Sequence, residues 1–161
     1  MSRIARLSHR MRFLIAPALL ALTLALGAAS ASAAPVGFQA TGGWYTDDDN
    51  FFLGAGARFG FGTMTIIPNV EYLFVDNASS YSLNIDGTMS VLPFAVATGY
   101  VGAGLGWVTF DPDNGKSNTD TGINLIAGAG LNAIPLKPFA QFKYVIMDGD
   151  DPLQFAVGVR F

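Results

Sequence analysis

The sequence predicts an all-β fold, an eight-stranded antiparallel up-and-down transmembrane β-barrel, and three observations lead to that fold class. The chain of 161 residues is 51% hydrophobic and only 13% charged, whereas charged residues make up about 25% of a soluble domain. After Pro35, large apolar residues alternate with small or polar ones at the period of two that is typical of a strand. Most acidic residues lie in alternate connections between these strands.

Turn signals divide the chain after Pro35 into eight predicted strands. Most are 9–12 residues long, close to the length of about 9–11 residues that crosses a bilayer when a strand is tilted. Strands of soluble proteins are usually shorter, about 5–6 residues. Because no helix lies between the strands, neighbours are expected to pair antiparallel as hairpins. The predicted strands lie near Gly37–Tyr45, Phe51–Gly60, Met64–Val75, Tyr81–Leu92, Gly99–Phe110, Thr121–Ala133, Pro138–Met147 and Leu153–Phe161.

Alternation is clearest in the last strand, where Phe155 and Val157 share one face and Gln154 and Arg160 share the other. The fourth and sixth strands repeat the pattern, with aliphatic residues on one face and mostly polar or small residues on the other. The third strand contains Pro68, which has no backbone N–H to donate to a neighbour, so we expect a local break or bulge there.

The two ends of the predicted barrel differ in charge. The even-numbered connections, 61–63, 93–98 and 134–137, contain no acidic residue. In an up-and-down barrel all odd-numbered connections share one end, which we expect to face the cell exterior. Ten of the 12 acidic residues lie in those connections: Asp47, Asp48, Asp49, Asp76, Asp111, Asp113, Asp120, Asp148, Asp150 and Asp151.

The small and polar residues of each strand are predicted to face the lumen and the apolar residues to face lipid, which is the reverse of a soluble barrel. The glycines of the fifth and sixth strands would leave a soluble exterior of bare backbone, but they fit the narrow interior of an eight-stranded barrel. Few charged residues lie on the lumen-facing side. We expect them to form an ion-pair network that fills the lumen, with a gated pore as the alternative: Arg58, Glu71, Asp86, Lys143 and Arg160.

Aromatic residues cluster at the acidic end of the predicted strands. Aromatic side chains at that depth form the girdle with which barrels contact the membrane interface. The residues predicted to form this girdle are Trp44, Tyr45, Phe74, Tyr81, Trp107 and Phe110.

Residues 1–33 are predicted to be a secretory signal peptide and residues 34–161 the barrel domain. Four arginines precede an apolar run, and the small residues Ala31, Ser32 and Ala33 follow it. The apolar run is shorter than the roughly 20 residues of a membrane-spanning helix, which disfavours an uncleaved anchor. Cleavage after Ala33 would leave all 12 acidic residues and five basic ones, a net charge of −7. A chain of this charge is not expected to bind nucleic acid through a basic patch.

In these features the chain resembles the small outer-membrane β-barrels typified by the transmembrane domain of OmpA and by OmpX. The segments that carry the resemblance are PNVEYLFVDN at 68–77, GYVGAGLGWVTF at 99–110, TDTGINLIAGAG at 119–130, KPFAQFKYVIMDGD at 137–150 and QFAVGVRF at 154–161. The resemblance implies insertion in the outer membrane of a diderm bacterium after Sec-type export, among phospholipid and lipopolysaccharide. It also implies that Phe161 is an assembly signal, read by the outer-membrane assembly machinery through the last strand.

Catalysis is not expected. Some barrels of this size are lipid-modifying enzymes that use a serine or threonine activated by histidine, but the only histidine is His9, inside the predicted signal peptide. No cysteine is present, and neither a cofactor nor a metal centre is predicted. We therefore expect a structural role in envelope integrity at the cell surface. The alternatives are a small channel for ions or apolar solutes, and an adhesin or cation-binding surface formed by the acidic connections.

Overall fold

The computed structural model describes residues 36–46, 50–75, 78–112, 116–148 and 151–161. The predicted signal peptide, its cleavage site and the acidic residues Asp47, Asp48, Asp49, Asp76, Asp113 and Asp150 lie outside this part of the chain. The described residues contain no helix that is both long and apolar enough to cross a membrane.

Eight antiparallel strands form a closed barrel in sequence order, and the last strand pairs with the first. This confirms the predicted fold class. Closure places every strand between two neighbours, so the sheet has no open edge, as a bilayer requires of any β-structure that spans it. The strands are β1 Val36–Tyr45, β2 Asn50–Phe61, β3 Met64–Val75, β4 Ala78–Pro93, β5 Ala97–Pro112, β6 Asn118–Leu131, β7 Phe139–Ile146 and β8 Leu153–Arg160.

The β4–β5 hairpin is longer than the sequence predicts. Each of its strands has 16 residues, because pairing continues past the expected turn positions, as far as Ala78 opposite Pro112. Between Ser90 and Leu92 the register shifts by one residue, which is the signature of a β-bulge. The two last strands, β7 and β8, have only 8 residues each.

Pro68 interrupts one side of β3 and leaves the other side intact. It pairs in unbroken register with Ile85 of β4. In the pairing with β2, Asn69 and Ile66 have partners, but Pro68 and Ile67, which lie between them, have none. The register of this pairing is the same before and after the gap. The predicted break is therefore present as a gap in one ladder without an inserted residue, since a bulge would have shifted the register.

The two faces of the sheet have the predicted polarity. Large apolar side chains such as Leu83, Ile85 and Leu125 are 44–48% exposed on the outer wall, whereas Asn84 and Asn124 are at most 3% exposed on the inner one. Apolar residues outside and polar residues inside is the arrangement of a barrel whose solvent is lipid.

The inner wall along β5 is built from glycine because neighbouring side chains occupy the space in front of it. A Cβ atom added to Gly104 would overlap the Asp86 carboxylate, and one added to Gly106 would come within 2.7 Å of Asn84 Oδ1. The glycines of β5 thus leave room for the polar side chains of β4 and β6. On the outer wall the situation differs, since a Cβ on Gly87 would meet only a backbone oxygen at 3.6 Å.

Replacing Gly104 with alanine is therefore expected to destabilise the barrel by about 1–3 kcal/mol, the usual cost of overpacking a filled interior. The matched control is Gly87→Ala on the adjacent strand, which we expect to leave the free energy of unfolding almost unchanged. Urea-induced unfolding of both variants in lipid vesicles measures the difference. Equal stabilities would mean that the inner wall of β5 has free space.

Candidate functional site

Three charged residues meet inside the barrel. Lys143 Nζ on β7 lies 3.1 Å from Glu71 Oε1 on β3 and 3.2 Å from Asp86 Oδ2 on β4. Their exposed fractions are 1% for Lys143 and 3% for each acid. Glu71 and Asp86 come from adjacent strands and Lys143 from the far side of the ring, so this charged triad bridges the lumen. The two carboxylates would repel each other without the ammonium group between them.

Neutral polar groups complete the environment of Glu71. Its Oε2 atom accepts hydrogen bonds from the Tyr45 hydroxyl at 3.0 Å and from Gln154 Nε2 at 2.8 Å. Gln154 Nε2 also donates to the Tyr45 hydroxyl oxygen at 2.9 Å. Since a buried carboxyl group is stable only when its oxygens have polar partners, these two donors and Lys143 together satisfy both oxygens of Glu71.

Asp86 is held in the same way by amides. It accepts from Asn69 Nδ2 at 2.9 Å and from Asn124 Nδ2 at 2.8 Å. Asn84 links the two, since it donates to Asn69 Oδ1 and accepts from Asn124 Nδ2. Sequence reasoning missed these amides because it considered only charged residues. Their position on the lumen-facing side of each strand was the signal that could have identified them.

Apolar side chains lie in the lumen on both sides of the triad. On β7 the inward residues run in the order Phe139, Gln141, Lys143, Val145. Val145 belongs to a buried cluster toward the long connections, and Phe139 belongs to a second cluster toward the short ones. The first cluster contains Tyr45, Phe52, Leu73, Val145 and Ala156, and the second contains Tyr100, Ile126 and Phe139.

Arg58 and Arg160 do not join the triad, which corrects the expectation of one network of five residues. Arg58 Nη1 donates to Gln39 Oε1 at 2.9 Å. The Arg160 guanidinium lies 4.3 Å from the Phe139 ring centroid and 4.8 Å from that of Tyr100, a cation–π arrangement. Alternation along a strand predicts which face a residue takes, but it does not predict which residues share a depth in the barrel.

Four of the six residues predicted for the aromatic girdle lie on the outer wall. Trp44 is 46% exposed and Phe74 is 50% exposed, and Tyr81 and Trp107 lie on the lipid-facing sides of β4 and β5. The Trp44 ring is 5.3 Å from that of its β8 neighbour Phe155, centroid to centroid.

The other two residues correct the prediction. Tyr45 is buried in the lumen, because it follows the outward-facing Trp44 and successive side chains of a strand point to opposite faces. Phe110 pairs with Ser80, a residue of the inner wall, and is exposed at the rim. An aromatic residue near a strand end therefore indicates a girdle only when its position on the strand also faces lipid.

The chemistry available in this site is ion pairing and hydrogen bonding. Among the described residues, no group of three or more histidine, aspartate or glutamate side chains could hold a metal ion. The two inward serines near the triad, Ser80 and Ser82, are 3% and 1% exposed, and Ser82 Oγ accepts a hydrogen bond from Asn84 Nδ2.

We expect Glu71→Ala to destabilise the barrel by about 3–5 kcal/mol, because the substitution leaves the buried Lys143 charge with only one carboxylate. A double-mutant cycle with Lys143→Ala, measured by urea unfolding in vesicles, should give a coupling energy above about 0.5 kcal/mol. The matched control is a cycle of Glu71→Ala with Lys116→Ala, whose lysine is exposed and should show no coupling. Equal coupling in both cycles would contradict the pairing.

No family sequence profile matches the chain, and no curated protein sequence matches it. Comparison of structures does give matches. The N-terminal β-barrel domain of Pseudomonas aeruginosa OprF superposes with a TM-score of 0.68 at 16% identity, covering 78% of this chain and 95% of that one.

Two further structures show the same architecture. A de novo designed transmembrane β-barrel matches with a TM-score of 0.61 at 17% identity, covering 81% of this chain and 96% of the design. Neisserial surface protein A matches with a TM-score of 0.59 at 14% identity, covering 80% and 98%. Together with the closed eight-stranded barrel, these likenesses confirm the predicted resemblance: the chain has the fold of the small outer-membrane β-barrels.

Proposed function

We propose that the chain is a non-enzymatic structural protein of the bacterial outer membrane, with a closed lumen and its acidic connections at the cell surface. The observation that carries this proposal is the charged triad, buried between two apolar clusters. An ion crossing the barrel would have to separate Lys143 from Glu71 and Asp86 and also displace Phe52, which is 0% exposed. Apolar constrictions exclude water as well as ions, so this arrangement supports a structural role over a channel.

The outer wall supports the proposed membrane environment. Its apolar side chains match the hydrocarbon of a bilayer, and the fold is that of the N-terminal barrel of OprF and of Neisserial surface protein A. In this proposal residues 1–33 direct export and are removed after Ala33. The surroundings of the barrel are then phospholipid and lipopolysaccharide.

The last strand supports an assembly role for Phe161. Phe38 N donates to Phe161 O at 2.7 Å, and Phe161 N donates to Phe38 O at 3.0 Å. Phe161 thus completes the seam between β1 and β8, the pairing that closes the barrel. Recognition of this residue by the assembly machinery would act on the strand whose docking finishes the fold.

The closed lumen predicts that the purified chain does not conduct. Inserted in a planar lipid bilayer, it should give no discrete current steps, because in this proposal the triad and the two apolar clusters block the passage of ions. A general porin added to the same bilayer is the positive control, and a shift in gel mobility on heating verifies that the barrel is folded. Reproducible current steps from the folded chain would favour the channel alternative.

The proposed orientation predicts which connections are reachable from outside the cell. Cysteines introduced at Asp48, Asp113 and Asp150 should react with an impermeant thiol reagent on whole cells, because all three belong to odd-numbered connections. The control is Lys137→Cys in an even-numbered connection, which should react only after the cells are lysed. If only Lys137→Cys were labelled on whole cells, the barrel would have the opposite orientation in the membrane.

A further inference from the structure

The outer wall contains a groove at the end of the barrel that carries the short connections. It has a volume of about 520 Å³, within the range of roughly 300–1,000 Å³ that is usual for small-molecule sites. The groove crosses the four strands β5 to β8 near their ends, and its lining is almost entirely apolar. Residues that form it include Ala97, Ala129, Leu131, Pro138, Ala140 and Val157.

Small side chains make this part of the wall concave. Ala129 of β6 lies directly opposite Ala140 of β7, and Ala140 lies opposite Val157 of β8. Farther along β6, the lipid-facing positions are filled by Ile123 and Leu125, which are 50% and 46% exposed. The groove therefore lies where the short alanine side chains extend less far from the barrel wall than the larger side chains around them.

An exposed positive charge lies beside the groove. Lys137 directly precedes Pro138, which lines the groove, and its side chain is exposed. It has no ion pair or hydrogen-bonded side-chain partner within the described part of the chain. The three short connections contain no other charged residue, so this end of the barrel wall presents an unneutralised cation beside an apolar depression.

The backbone of the β6–β7 connection holds Lys137 at that place. Leu136 has φ 67° and Lys137 has φ 31°, and no other described residue except glycine has positive φ. Strained conformations of this kind persist only where surrounding contacts impose them. Here Arg160 N donates to Leu136 O at 2.9 Å and Lys137 N donates to Ile134 O at 3.0 Å, which ties the connection to β8 and closes its turn.

We propose that this groove binds one anionic phospholipid, with an acyl chain along Ala129 and Ala140 and the headgroup phosphate at Lys137. An apolar groove in a lipid-facing wall, with an exposed cation in the connection beside it, matches a molecule with a long hydrocarbon tail and a negative head. The inference depends on the membrane orientation proposed above. In that orientation the groove faces the periplasmic leaflet, so the occupant is a phospholipid rather than lipopolysaccharide.

Native mass spectrometry of the detergent-refolded chain, titrated with phosphatidylglycerol, tests the proposal. One phosphatidylglycerol molecule should remain bound at collision energies that remove all other bound lipid and detergent molecules. Phosphatidylcholine should bind more weakly than phosphatidylglycerol. Lys137→Gln should weaken phosphatidylglycerol binding about fivefold, the effect of one cation near a lipid surface. Ala129→Leu and, as a second variant, Ala140→Leu should abolish the retained lipid by filling the groove.

Two variants are matched controls. Lys116→Gln removes an exposed lysine from a connection at the opposite end, and Ala103→Leu enlarges a lipid-facing alanine outside the groove. Neither should change the retained lipid. Equal lipid binding by all variants would overturn the proposal, as would a preference for lipopolysaccharide in competition. The shift in gel mobility on heating is measured on the same samples and shows whether each variant is folded. A folded variant that no longer retains the lipid contradicts nothing in the proposed structural role.

Discussion

The closing seam between β8 and β1 is the pairing on which the rest of the structure depends. In hydrocarbon an unpaired backbone group costs several kcal/mol, and an open sheet of eight strands would leave two full edges unpaired. Seven residue pairs from Gln39 opposite Arg160 to Tyr45 opposite Gln154 remove both edges. Closure also fixes the width of the lumen, and that width lets Lys143 on one side reach carboxylates on the other.

The polar interior follows from the same closure. Eight strands leave a space that side chains fill, so inward residues such as Lys143 and Glu71 can meet from opposite sides of the ring. Charged groups can occupy such a space only when they are paired and hydrogen-bonded. Glu71 and Asp86 meet that requirement, because each pairs with Lys143 and accepts hydrogen bonds from neutral side chains. The Oδ1 atom of Asn124 and the Oε1 atom of Gln154 have no hydrogen-bond partner within the described part of the chain. The bilayer thus shapes the inside of the barrel as well as its outside.

Sequence periodicity predicted the strands, their order and their two faces, because alternation is a local property that each strand carries by itself. It also placed Glu71, Asp86 and Lys143 on the lumen-facing side of their strands, where the structure brings their side chains together. It did not separate Arg58 and Arg160 from them, and it placed Tyr45 and Phe110 in the girdle. The position of a residue along the barrel axis depends on the register of its hairpin. The extended β4–β5 pairing and the bulge near Ser90 change that register, and neither can be predicted from composition or residue spacing.

The glycine wall of β5 has a consequence for how the barrel is made. Gly102, Gly104 and Gly106 bring no side chains of their own, and glycine is a poor strand former because it loses more backbone freedom than any other residue. Strand β5 therefore gains its order from the ladders on either side and from the polar side chains of β4 and β6 that lie over it. The glycine wall and the polar layer therefore depend on each other, because the polar side chains occupy the space that the glycines leave.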